Sequence, residues 1–236
     1  MHRQIPLAVS LKPSVDFGSF IIGRNGEAVS RLRTPIDPFI YLWGESGCGK
    51  SHLLQAACLQ THREERLPAY LPLKSEREID PEMLQGLEGY ALVCLDDLER
   101  VAGQGDWERA IFNLFNLLRE NGGRLIVAAD RAPAGLSIEL PDLASRLTWG
   151  PCYRLIALDD DERLELLLAS AERRGMNMSA ETASFLLQRT PRDIHFLTLL
   201  MDRLDTASLA AQRAAKPSQS ASARAVSSTP AKSPES

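Results

Sequence analysis

Ile40-Tyr41-Leu42-Trp43-Gly44-Glu45-Ser46-Gly47-Cys48-Gly49-Lys50-Ser51 is the stretch on which the fold of this chain turns. An apolar strand pattern runs into a complete G-x-x-x-x-G-K-S loop, and His52-Leu53-Leu54-Gln55-Ala56-Ala57 continues as a helix pattern. Gly44, Gly47 and Gly49 let the backbone turn its N–H groups around a phosphate without a side-chain clash. A helix that starts there aims its positive end at the same anion. Lys50 is placed to reach the β- and γ-phosphates, and the Ser51 hydroxyl to hold Mg²⁺. Lys12, Lys50 and Lys74 are the only lysines ahead of residue 211, so a chance lysine here is a poor explanation. The pattern predicts a bound ADP or ATP with Mg²⁺.

Composition narrows the class. At 236 residues the chain is long enough for one sizeable core and a smaller attached domain. A hydrophobic share of 44% and a charged share of 25% are those of a globular protein. The net charge of −4 argues against a protein that grips duplex DNA with its whole surface. Cys48, Cys58, Cys94 and Cys152 are dispersed, with no C-x-x-C pair, which fits a reducing compartment and neither a zinc site nor a disulfide framework. No apolar run approaches membrane-spanning length and the N-terminus lacks a signal-peptide core, so a cytoplasmic location is expected.

Along the chain, residues 1–16 read as a short leader. Apolar runs at 39–43, 69–73, 91–95, 124–129 and 152–156 alternate with helical stretches such as 107–120, which predicts an α/β domain over 17–156: a parallel sheet with helices on both faces. Strand signals then stop. The stretches 159–174, 179–189 and 191–213 read as three helices, a small lid over 157–213. From 214 to 236 Ala, Ser and Pro dominate without a single aromatic, the composition of a disordered tail.

Leu92-Val93-Cys94-Leu95-Asp96-Asp97 is a buried-strand pattern ending in two carboxylates, about 45 residues after the loop. A carboxylate in that position holds Mg²⁺, here Asp96, and a second one, Asp97, can polarise an attacking water. These residues make the chain familiar. With Tyr41-Leu42-Trp43-Gly44, Asp106-Trp107-Glu108, Phe115-Asn116, Ala128-Ala129-Asp130-Arg131, Leu143-Ala144-Ser145-Arg146-Leu147 and Asp202-Arg203-Leu204-Asp205, it resembles the AAA+ ATPases. Within them it is similar to the DnaA-like family, and the run from Asp106 to Asn116 points to the shortened, Hda-type inactivator branch. The similarity spans about residues 3–213.

The resemblance implies roles that spacing alone does not. Asp130 matches sensor 1, near the γ-phosphate. Arg146 matches the arginine finger that reaches a nucleotide on a neighbouring subunit; taken without the family, it reads as a surface charge or salt-bridge partner. His195 stands where the initiator has its sensor-2 arginine, on the cofactor side. A mostly neutral imidazole is a poor phosphate clamp, so ADP holding with weak intrinsic hydrolysis is expected. Gln4-Ile5-Pro6-Leu7 looks like the peptide by which such proteins dock on the β sliding clamp, with Gln4 on a polar rim and Ile5 and Leu7 in an apolar pocket.

The implied partners are the initiator DnaA and the clamp, with DNA reached indirectly, no membrane, and a homo-oligomer left open. No helix-turn-helix pattern follows Arg213. Three readings compete: an inactivator acting in trans, a self-sufficient loader-like ATPase, and an adaptor whose nucleotide only supports the fold.

Overall fold

The computed structural model describes residues 15–74, 80–190, 196–197 and 200–206. The elements are α1 (Gly26–Arg33), β1 (Phe39–Trp43), α2 (Lys50–Arg63), β2 (Pro68–Pro72), β3 (Leu92–Asp96), α3 (Gly105–Glu120), β4 (Arg124–Ala129), α4 (Pro141–Leu147), β5 (Cys152–Arg154), α5 (Asp160–Arg173) and α6 (Ala180–Arg189). The five strands form one sheet in the order β2-β3-β4-β1-β5. All four pairings are parallel.

Period-two alternation in the strands builds two cores, one on each face. Phe39, Tyr41, Val93, Leu95, Leu125, Val127 and Ala129 pack against α3 and α4. Ile40, Leu42, Leu92, Cys94, Ile126 and Ala128 pack against α1 and α2. Both faces being covered explains why the strands read as continuous apolar runs. The sheet expected from sequence is present, with three changes at its borders. β2 opens on Pro68, one residue early, because an edge strand tolerates a missing N–H. β3 is shifted one residue later and ends on Asp96 itself. β5 stops at Arg154, since it pairs with β1 over only three residues.

The lid begins with α5, closed by a capping box in which Asp159 and Glu162 satisfy each other's backbone N–H. Ser179 caps α6 as its sequence suggests. Leu167, Ala171, Ala183, Leu197 and Met201 form the lid core. Residues 196–197 and 200–206 are helical, in line with a third helix; the rest of the 191–213 stretch, and the tail from 214, lie outside the described residues. At the hinge Asn25 exchanges two hydrogen bonds with the Ile156 backbone, at 3.0 and 2.8 Å. No helix among the described residues is long and apolar enough to cross a membrane.

Glu108 has a structural task that its place in a helix does not announce. Its carboxylate is 1% exposed and accepts backbone N–H groups from Gly103 at 2.7 Å, Glu139 at 3.0 Å and Leu140 at 2.7 Å. It thereby ties α3 to the turn that starts α4. Glu108→Ala leaves those donors without partners and is expected to cost about 3 kcal/mol. Glu108→Gln, which keeps one acceptor oxygen, is expected to cost about half as much, both read from urea unfolding.

Candidate functional site

Parallel pairing brings the C-terminal ends of β1, β4 and β3 to one edge of the sheet, where open α/β sheets hold ligands. The loop after β1 is fastened there by the Gly44 N–H, which donates to the Ala129 carbonyl at 3.4 Å. Two of its glycines are required by geometry. Gly49 has φ +99, and a Cβ there would meet the Phe20 ring at 2.6 Å. A Cβ on Gly44 would meet the Leu155 carbonyl oxygen at 2.6 Å and the Cys48 sulfur at 2.9 Å. Gly47 lies half-buried in the loop between them.

Lys50 is the first residue of α2 and is buried. Its Nζ donates to the carbonyls of Gly44 at 2.6 Å and Glu45 at 3.1 Å, so the ammonium closes the loop on itself. Ser51 follows, exposed at the same helix end. Cys48 is buried, and burial pushes its thiol up, as befits an inert loop residue.

The carboxylates gather opposite. Asp96 is 1% exposed; its Oδ1 accepts the Asp97 N–H at 3.1 Å and its Oδ2 the Tyr70 hydroxyl at 2.7 Å. Asp97 holds a left-handed backbone at φ +60. Burial, then the charges of Asp96 and Glu99, push its carboxyl above the usual range. Asp130 is paired with Arg131 through two bonds of 2.7 Å, which hold its carboxyl below the usual range. Lys50 acts electrostatically on both Asp97 and Asp130. Gly44, Gly47, Gly49, Lys50, Ser51, Asp96, Asp97 and Asp130 are thus assembled at one edge. His195, Gln4, Ile5 and Leu7 lie outside the described residues.

This chemistry fits a nucleotide with Mg²⁺. The loop offers backbone N–H groups where side chains cannot stand, and Ser51 with buried Asp96 supplies hard oxygen donors. No group of three His, Cys, Asp or Glu side chains suited to a metal occurs among the described residues.

Arg146 stands apart from this edge, on α4. Its guanidinium lies 5.6 Å from the centre of the Phe115 ring, and that ring packs edge-on to Trp149 at 5.9 Å. Arg119 stacks on the other aromatic, 5.1 Å from Trp149. No carboxylate among the described residues pairs with Arg146. The plain salt-bridge role is therefore absent there.

Sequence reasoning missed three participants. Tyr70, in an apolar strand run, carries no signal for contact with Asp96. The Phe115–Trp149 ledge is visible only once α3 and α4 pack. The third is His52, which clamps residues 16–20 beside the loop: its Nε2 lies 2.9 Å from the Asp16 carbonyl and 3.2 Å from the Ser19 hydroxyl, and its ring packs on Phe20.

A phosphate-loop sheet of this strand order, with acidic residues at the ends of β3 and β4 and a helical lid, defines an AAA+ domain. The chain belongs to the DnaA/Hda-like family of AAA+ proteins: the bacterial DnaA ATPase domain matches residues 11–153 and the Hda lid domain residues 160–215. It is 41% identical over 218 residues to an uncharacterized protein of Haemophilus influenzae, covering 90% of this chain and 94% of the relative. Among solved structures it is similar in fold to domain III of the Thermotoga maritima replication initiation protein DnaA, with TM-score 0.72 and 19% identity over 87% of this chain and 93% of that one. A replication initiator DnaA bound to AMPPCP and single-stranded DNA gives TM-score 0.67 and 21% identity over 87% and 70%. The chain is therefore a DnaA-related, replication-associated AAA+ protein.

Two outcomes are expected at this site. Gly49→Ala, strained by both φ and Phe20, should abolish nucleotide retention in a filter-binding assay and lower stability by about 1–2 kcal/mol. Burial holds the His52 pKa below its ordinary value of about 6.5. The folded state then binds fewer protons, so this stabilisation is full above about 6.5 and lost as pH falls through the depressed folded value. Acid unfolding followed by tryptophan fluorescence should show that loss, and His52→Gln should flatten it.

Proposed function

We propose that this chain is a negative regulator of replication initiation: a cytoplasmic, nucleotide-bound AAA+ protein that docks on the DNA-loaded sliding clamp and stimulates hydrolysis of ATP held by the initiator DnaA. The observation that carries the reading is Arg146, a guanidinium with no described carboxylate partner, stacked on Phe115 on a short helix away from the chain's own phosphate loop. A cation so placed suits action on a neighbour's nucleotide. There it would neutralise charge spreading over the transferred phosphoryl oxygens, worth roughly 10³–10⁵ in rate in GTPases. The chain's own loop, with Lys50, Ser51 and Asp96, serves to hold ADP or ATP with Mg²⁺. Intrinsic turnover is slow because His195 replaces an arginine clamp.

Clamp docking through Gln4, Ile5 and Leu7 raises the effective concentration at the initiator without a strong direct contact. A homo-oligomer would form through the same finger-to-nucleotide contact. The loader-like ATPase is the second reading, favoured by the place of Asp97 directly after buried Asp96 at the end of β3, where a second carboxylate can polarise an attacking water.

Single-turnover hydrolysis of ATP pre-bound to the cognate DnaA, with clamp loaded on DNA, separates these readings. The chain should accelerate hydrolysis, and Arg146→Ala should remove most of that acceleration, roughly 10³-fold. Turnover by this chain alone, unaffected by Arg146→Ala, would establish the loader-like enzyme instead. Gln4→Ala should release the protein from clamp beads; unchanged retention would remove the docking step.

A further inference from the structure

The Tyr70–Asp96 hydrogen bond belongs to no role assigned so far. Tyr70 sits on the edge strand β2, opposite Cys94 of β3 in the parallel register. Its hydroxyl reaches along the sheet edge and donates to Asp96 Oδ2 at 2.7 Å. Ser51 and Gln55 also act on the same hydroxyl.

Asp96 needs such a partner. A carboxylate 1% exposed carries a desolvation cost that is relieved only by a cation or by strong donors. Among the described residues neither Lys nor Arg forms an ion pair with it. The Asp97 N–H satisfies Oδ1, and the Tyr70 hydroxyl satisfies Oδ2. Tyr70 thus supplies to Asp96 the donor that a divalent cation, or its bound water, would replace.

We propose that Tyr70 is a positioning residue of the cation site, whose hydroxyl stabilises Asp96 in the metal-free state and is displaced from Oδ2 when Mg²⁺ enters with nucleotide. The inference rests on the nucleotide reading above and adds a regulatory property to it: Mg²⁺ competes with an internal donor. Nucleotide retention then depends less on Mg²⁺ than in a site whose carboxylate has no such partner.

The test is the Mg²⁺ dependence of ADP binding by the full chain, measured by titration calorimetry for wild type and Tyr70→Phe. The ring packs against the core on the α2 face, and Phe preserves that packing. Without metal, the variant should melt a few degrees lower, having lost the donor to a buried charge. The Mg²⁺ concentration giving half of its effect on ADP affinity should fall about tenfold, the equilibrium weight of one charge-assisted hydrogen bond. A midpoint unchanged or raised overturns the proposal, because a merely structural tyrosine would not move it downward.

ADP affinity in EDTA separates the two layers. No ADP binding by the wild type, with Mg²⁺ or without it, overturns the nucleotide reading and this inference together. ADP binding with equal midpoints overturns only the role of Tyr70. Should Tyr70→Phe fail to fold, the wild type labelled with ¹³C at tyrosine Cζ gives the answer. The Tyr70 resonance must shift when Mg²⁺ is added to the ADP complex, and a stationary resonance overturns the proposal.

Discussion

The parallel ladder β3-β4-β1 is the constraint on which the site depends. Because the three strands run the same way, their C-terminal ends finish together, and the residues just beyond each end meet whatever their distance in sequence. Leu42 pairs with Ala128 and Leu95 with Val127, so the loop at Gly44, Asp130 and the Asp96–Asp97 pair share one edge. The Gly44 N–H then spends itself on the Ala129 carbonyl, fastening loop to sheet. A shift of one residue in this register would turn each strand's core side chains to the opposite face and dismantle both hydrophobic layers.

Electrostatics at that edge follow from how little water reaches it. Lys50 is buried with its ammonium on two loop carbonyls, and Asp96 is buried with its oxygens on a backbone N–H and a phenol. Opposite charges are thus each satisfied by neutral dipoles rather than by each other. Such an arrangement leaves both charges directed at a ligand, and it avoids a closed ion pair that a nucleotide would have to break. Asp130 differs: being only half-buried, it pairs with Arg131 next to it in the chain.

A second mechanical unit joins α3 to α4. Glu108 binds the backbone N–H of Gly103 ahead of α3 and those of Glu139 and Leu140 at the approach to α4, while Phe115 and Trp149 form the ledge under Arg146 and Arg119. Stacking on an aromatic face limits the freedom of a long side chain while leaving its polar rim open. α4 is therefore anchored at its start by a buried carboxylate and at its end by aromatic packing. Neither support touches the phosphate loop.

Much of the fold was legible in the chain because it is written locally. Strand runs, the loop glycines, Lys50 and the Ser179 cap are each decided by neighbours a few residues apart, through period-two burial, positive φ or a single cap. The runs at 39–43 and 124–129 were read to the residue, whereas the borders of β2, β3 and β5 moved by one or two. The sequence by itself determined the phosphate loop, the alternating α/β order, the carboxylate pair at 96–97 and the family. Tertiary structure alone decided that Tyr70 meets Asp96, that His52 clamps residues 16–20, that Glu108 serves α4 and that Arg146 rests on Phe115. These contacts join residues from different elements, and a side chain's partner across a fold is set by packing and burial, which no local pattern records.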